Sequence, residues 1–204
     1  MNRSTWAGLA AGVLLGVLAL GLARLFALPQ HEAVHYHANW ALWIDGERVD
    51  LTHDRYMEDV GACQVDPTLM TAEARVHMHD NNHDVVHVHH AGASWGHLLQ
   101  NLGWGIGPGW IMTDRGEVLR DGEGYRITFI LNGMDVPPAH DRVIRPGDRL
   151  LLSWGTEDPA DLVRERFPLV ADNAPEYDEG YDPGGCGGHA PETFGERVRR
   201  AFWF

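Results

Sequence analysis

Hydrophobicity along the chain comes in three textures. The first is an unbroken apolar run, Trp6 to Ala23 (WAGLAAGVLLGVLALGLA), 18 residues without a charge. At about 1.5 Å per residue it approaches the thickness of a bilayer core. Leu25 to Leu28 would extend it if Arg24 snorkels to the interface. The run is apolar on every face, which fits a membrane helix better than a core helix. It is long for a secretory signal, and Leu25-Phe26-Ala27-Leu28-Pro29 offers no good cleavage site. A retained anchor over residues 1–29 is expected.

The second texture is alternation. Val34, Tyr36, Ala38, Trp40, Leu42 and Ile44 share one face of an extended segment, with His35, His37, Asn39 and Asp45 on the other. This predicts a half-buried strand with a polar side. Asp45-Gly46 then signals a tight hairpin turn. From Arg75 to His89 the pattern is strand, turn, strand: Val76 and Met78 alternate with His77 and His79, and Val86 and Val88 with His87 and His89. The intervening Asp80-Asn81-Asn82-His83-Asp84 is turn chemistry. Ser94 is a candidate N-cap for a helix whose stripe is Trp95, Leu98, Leu99 and Leu102, ended by Gly103. A Gly/Trp-rich loop (103–110), a hairpin around Asp114-Arg115-Gly116, a strand over 125–131 with Asn132-Gly133 after it, and a last strand over 149–154 complete the pattern. Hairpin, helix and further strands are the order of an α+β, β-grasp-like domain, expected over residues 30–155. Residues 53–73 read as loop with a short helix from Asp66.

The third texture is aperiodic. Residues 156–204 are acidic and rich in Pro and Gly, which predicts one helix over 158–167 and then a loose tail. The end, ERVRRAFWF, reads as a short basic amphipathic segment, for a membrane surface or for the domain's own core.

Charge and composition narrow the function. The net charge is -13 with histidines neutral, which opposes binding to nucleic acid and suits attraction of cations. Histidine numbers 13, and His77, His79, His83, His87, His89 and His90 fall within 14 residues. Three His-x-His pairs result, His35/His37, His77/His79 and His87/His89. Residues i and i+2 of a strand point to one face, so each pair presents two imidazoles side by side. A turn centred on Asn82 sets His77 opposite His87 and brings His79 and His89 to the same surface, with rings about 5 Å apart. Three or four imidazole nitrogens suit a transition metal, copper or zinc. His77, His79, His87 and His89 are the expected metal ligands, and His35 and His37 join them if the first strand lies beside this hairpin. Asp80 and Asp84 would serve as ligands or as acceptors for ring N–H groups.

Cys63 and Cys186 are the only cysteines and form no CxxC pair, so a thioredoxin-type motif is excluded. In an extracytoplasmic domain they could pair with each other.

Residues 34–155, through HYHANWALWIDGERVDL, VHMHD, VVHVHHAG and the ITFILNG and DRLLLSWG segments, resemble a group of uncharacterised membrane-anchored prokaryotic proteins. Some of those carry the label protein-disulfide isomerase. The resemblance implies a secreted ubiquitin-like (β-grasp-like) domain and no activity. HMHDNNHDVVHVHHAG also resembles, more weakly, the first cupin motif, with Asp84 where cupins have Glu. The expected function is thus a membrane-anchored, extracytoplasmic metal-binding module. One alternative is a cupin-like or hydrolytic metalloenzyme with Asp80, Asp84 or Glu73 as base. Others are a pH switch and an interaction subunit of a membrane complex that uses Trp104, Trp110 and the terminal Phe-Trp-Phe.

Overall fold

The structure, a computed structural model, describes residues 2–27, 34–58, 75–179 and 194–202. They form two compact units. One consists of the terminal helices, the other of the described residues between 34 and 179.

In the first unit, helix α1 (Arg3–Ala27) is long and apolar enough to cross a membrane, and most of its side chains are exposed. Its last turns carry helix α5 (Phe194–Phe202). Gly21 permits this contact, since a Cβ there would come within 2.0 Å of the Phe202 ring. Arg197 Nε donates to the Leu25 carbonyl at 3.0 Å. Carbonyls of a last helical turn have no partner within the helix, and an arginine there satisfies one.

The second unit is mixed α+β. Its strands are β1 (Tyr36–Ile44), β2 (Glu47–Arg48), β3 (Val76–His77), β4 (Val85–Val88), β5 (Gly105–Gly107), β6 (Trp110–Met112), β7 (Val118–Arg120), β8 (Arg126–Leu131), β9 (Met134–Val136) and β10 (Arg149–Gly155). The main sheet runs β3-β4-β1-β10-β8-β9, with β2 also on β1. Its centre is the parallel pair β1 and β10, in register from Asn39 with Arg149 to Ile44 with Trp154. Tight turns set the hairpins. Asp45-Gly46 and Asn132-Gly133 lie in the left-handed region, as a two-residue hairpin loop requires. The expected loop over 103–110 contains β5, which pairs with β6 in a small sheet completed by β7.

Helix α2 (Trp95–Asn101) starts at Ser94, whose hydroxyl accepts from the His97 amide while the His97 ring accepts from the Ser94 amide. It buries Trp95, Leu98 and Leu99 against one face of the main sheet. That face presents Ala38, Trp40 and Leu42 of β1, Val76 and Met78, Val86 and Val88, and Leu150 and Leu152 of β10. Each large side chain removed from water here contributes about 1.5–3 kcal/mol.

The opposite face departs from the expectation of a polar, solvated side. Strand β1 is buried on both faces, with His37 and Asn39 each 1% exposed. Ala41 and Trp43 continue the histidine-bearing face as apolar residues, and they need a cover. Residues of the acidic C-terminal stretch supply it. Helix α3 (Pro159–Asp161), capped by Asp158, leads into a π-helical turn (Leu162–Arg166) and a 3₁₀ turn (Phe167–Leu169). Leu162 and Val170 pack on Ala41, Trp43, Ile130 and Leu151. The guanidinium of Arg166 stacks on Trp43 and that of Arg149 on Phe167. Helix α4 (Ala174–Glu179) then crosses β1. The segment expected to be loose after residue 167 is therefore packed and regular as far as residue 179.

Candidate metal centre

Three neighbouring strands deliver the histidines to the face opposite α2. β4 lies between β3 and β1 in antiparallel register, so His77 pairs with His87 and His87 with His37. The hairpin that fixes this register turns at Asp80 and Asn81, both in the left-handed region (φ 57° and 56°), with the Asn82 amide donating to the His79 carbonyl at 3.1 Å. Asp and Asn tolerate that backbone better than other side-chain-bearing residues.

The six paired histidines form one closed circuit of rings. Going round, the centroids are 4.6 Å apart for His35–His37, 4.4 Å for His37–His87, 3.7 Å for His87–His79, 5.8 Å for His79–His77, 4.9 Å for His77–His89 and 4.9 Å for His89–His35. His37, His77, His79 and His87 are buried, while His35 and His89 are partly open to solvent. One nitrogen from each of His35, His37 and His87 lies within 4.8 Å of the others, an arrangement that could hold a metal ion.

Carboxylates brace two of the rings. Asp178 Oδ1 lies 2.6 Å from His37 Nδ1, and Asp80 Oδ2 lies 2.8 Å from His79 Nδ1. An ionised carboxylate only accepts, so both rings carry a proton on Nδ1. Both Nε2 atoms then abut the same atom, His87 Nδ1, at 2.9 Å from His37 and 3.1 Å from His79. Three imidazole nitrogens thus meet at His87 Nδ1.

Burial above all, and then the charge that His79, His37, His77 and His89 would carry, hold His87 far below the ordinary histidine range. Burial, with His77 and His35 next, brings His89 down to about 2. Both imidazoles are neutral at physiological pH, the state in which histidine binds metals.

The remaining candidates are distributed as follows. Asp84 is paired with Arg48 and Asp80 with His79, so each carboxylate orients a side chain. Glu73 and both cysteines lie outside the described residues. Trp104 is a core residue, 6% exposed, and not a contact surface, Trp110 is half-buried, and Phe202 packs on Gly21. Trp203 and Phe204 are outside the described residues.

Sequence reasoning missed the C-terminal contribution. The Asn39 side chain is held at both ends by this segment, donating to Asn173 Oδ1 at 3.0 Å and accepting from the Ala174 amide at 2.8 Å. Tyr177 lies 5.7 Å from the His37 ring, with its hydroxyl 2.7 Å from Asn82 Nδ2. Asp178 reaches both the ring and the amide of His37. No periodicity marks Tyr177-Asp178 within its acidic run. The signal available was the buried polar Asn39, which needs partners.

No protein-family model, no curated protein and no solved structure matches this chain. The chemistry of the centre therefore rests on its own geometry.

Proposed function

We propose that this is a membrane-anchored, extracytoplasmic protein whose folded unit binds a transition metal, copper or zinc, through His35, His37, His77, His79, His87 and His89. The observation that carries the reading is the convergence of two carboxylate-braced imidazoles on His87 Nδ1, beside a His35, His37 and His87 group whose nitrogens lie within 4.8 Å of one another. Nitrogens bound to one ion at about 2.0–2.1 Å lie about 2.9–3.4 Å apart, for right-angled to tetrahedral geometry. The His37–His87 and His79–His87 spacings of 2.9 and 3.1 Å fall in that interval. Asp178 and Asp80 would fix the tautomer of their rings and raise ring basicity, as carboxylates behind metal-bound histidines do.

The same reading takes the second unit as β-grasp-like, supported by the parallel first and last strands at the sheet centre, hairpins to either side and α2 across one face. Helix α1 would be a retained anchor, not a cleaved signal. A binding or carrier role is favoured over hydrolysis, because the carboxylates nearest the histidines already hold side chains.

The test is metal content by mass spectrometry on the untagged full chain in detergent, after exposure to zinc or copper(II) and removal of excess ion. At least one ion per chain is expected, and His87→Ala should lower it. No bound metal, or content unchanged in His87→Ala, would overturn the reading.

A further inference from the structure

Positive charge runs against the trend of this chain in one place. The sequence holds 29 acids and 16 arginines, yet α5 carries Arg197, Arg199 and Arg200 with the single acid Glu196, and the last turn of α1 adds Arg24. Of the two roles that the α5 sequence allows, a membrane surface or the domain's own core, its packing on α1 within one compact unit favours the first. The contact is fixed at Gly21, where the Phe202 ring lies, and at Leu25, whose carbonyl accepts from Arg197 Nε at 3.0 Å. Both points are within one helical turn of Arg24. An arginine that follows 18 uncharged residues reaches for the headgroups, so α5 docks at headgroup level. Its amphipathic character suits that level. Ala201 is buried, Arg199 is exposed, and Phe194 is 75% exposed, a ring for the acyl boundary.

We propose that α5 and the end of α1 form a binding site for the headgroup of an anionic phospholipid, with Arg199 and Arg200 as its main contacts and Arg24 beside them. Guanidinium groups match phosphate oxygens in charge and in their forked geometry. Arg197 is a positioning residue, since its Nε ties α5 to the Leu25 carbonyl. The proposal rests on the reading of α1 as a membrane anchor and not on the metal.

The full chain is reconstituted into vesicles of equal phosphatidylglycerol and phosphatidylcholine, extracted in mild detergent, and examined with its bound lipid by native mass spectrometry. Phosphatidylglycerol should stay on the chain in preference to phosphatidylcholine. Arg199→Gln/Arg200→Gln should cut that preference by about fivefold for each arginine, the effect of one cation beside an anionic membrane surface. Arg199→Lys/Arg200→Lys keeps the charge and should keep most of the preference. Gly21→Leu retains every arginine but crowds the Phe202 ring off α1, and the preference should fall there too. Equal retention of the two lipids by the unaltered chain would overturn the site, and so would a preference that survives Arg199→Gln/Arg200→Gln or Gly21→Leu. The anchor is checked separately by washing the vesicles in alkaline carbonate. A chain that washes off would overturn the anchor reading together with the site, whereas a chain that stays but shows no lipid preference would overturn the site alone.

Discussion

His87 has two buried imidazoles against one nitrogen and four histidine rings within 6.3 Å of its own. Such a residue stays neutral when folded and takes up a proton when unfolded. Its folded pKa is depressed, so stability is complete above the unfolded value of about 6.5 and is lost as the pH falls from there. The loss continues toward each group's own value, which for His89 is about 2. Each of the two contributes a slope of up to about 1.4 kcal/mol per pH unit across that window. Thermal melts of the metal-free protein should therefore drop between pH 7.5 and pH 5, and added metal, which competes with the same protons, should move the drop to lower pH. Melting temperatures that stay level over this interval would show that the rings are not buried in the neutral form.

Among the elements, β4 is the one on which the site depends, because it touches both outer strands in the register that aligns the histidines. Helix α4 is the one that closes the site, and its attachment is polar. Asn39 joins them: it donates to the Asp84 carbonyl at the head of β4, and it donates to Asn173 and accepts from Ala174 ahead of Tyr177 and Asp178. Asn39→Ala would leave buried groups unpaired and should cost about 1–3 kcal/mol. It should also raise hydrogen exchange over residues 173–179 before that of β1 or β10, since a segment with few apolar contacts opens first. Uniform exchange along the chain would mean that α4 is held by something other than this side chain.

The whole molecule combines an apolar helix, a unit with a histidine cluster that could hold a metal ion, and an acid-rich composition. The apolar helix carries an arginine at each end, Arg3 and Arg24, so the side on which the folded unit lies is a matter for experiment. The extracytoplasmic assignment predicts that a cysteine at Asp141, which is 96% exposed, reacts with a membrane-impermeant maleimide in intact cells, in a background with Cys63 and Cys186 replaced by Ser. Labelling only after lysis would place the unit in the cytoplasm and redirect the function to intracellular metal handling.

Local pattern alone determined much of this protein. An apolar run predicts the long helix, period-two alternation predicts β1 and β4, and Asp-Gly and Asn-Gly predict two of the hairpin turns. The same alternation set His77 opposite His87 with His79 and His89 on one face, because a slip of one residue would turn Val86 and Val88 to the wrong side. Tertiary structure decided what no short-range rule reaches. Pairing of β1 with β4 brings His35 and His37 to the hairpin across some 50 residues of chain, a distance over which sequence spacing carries no register. The covering of that face by residues 158–179 was equally out of reach, because a segment rich in charge and proline has no period to read. Its order comes from Asn39, Trp43 and the histidines it packs against, and those partners exist only once the sheet has formed.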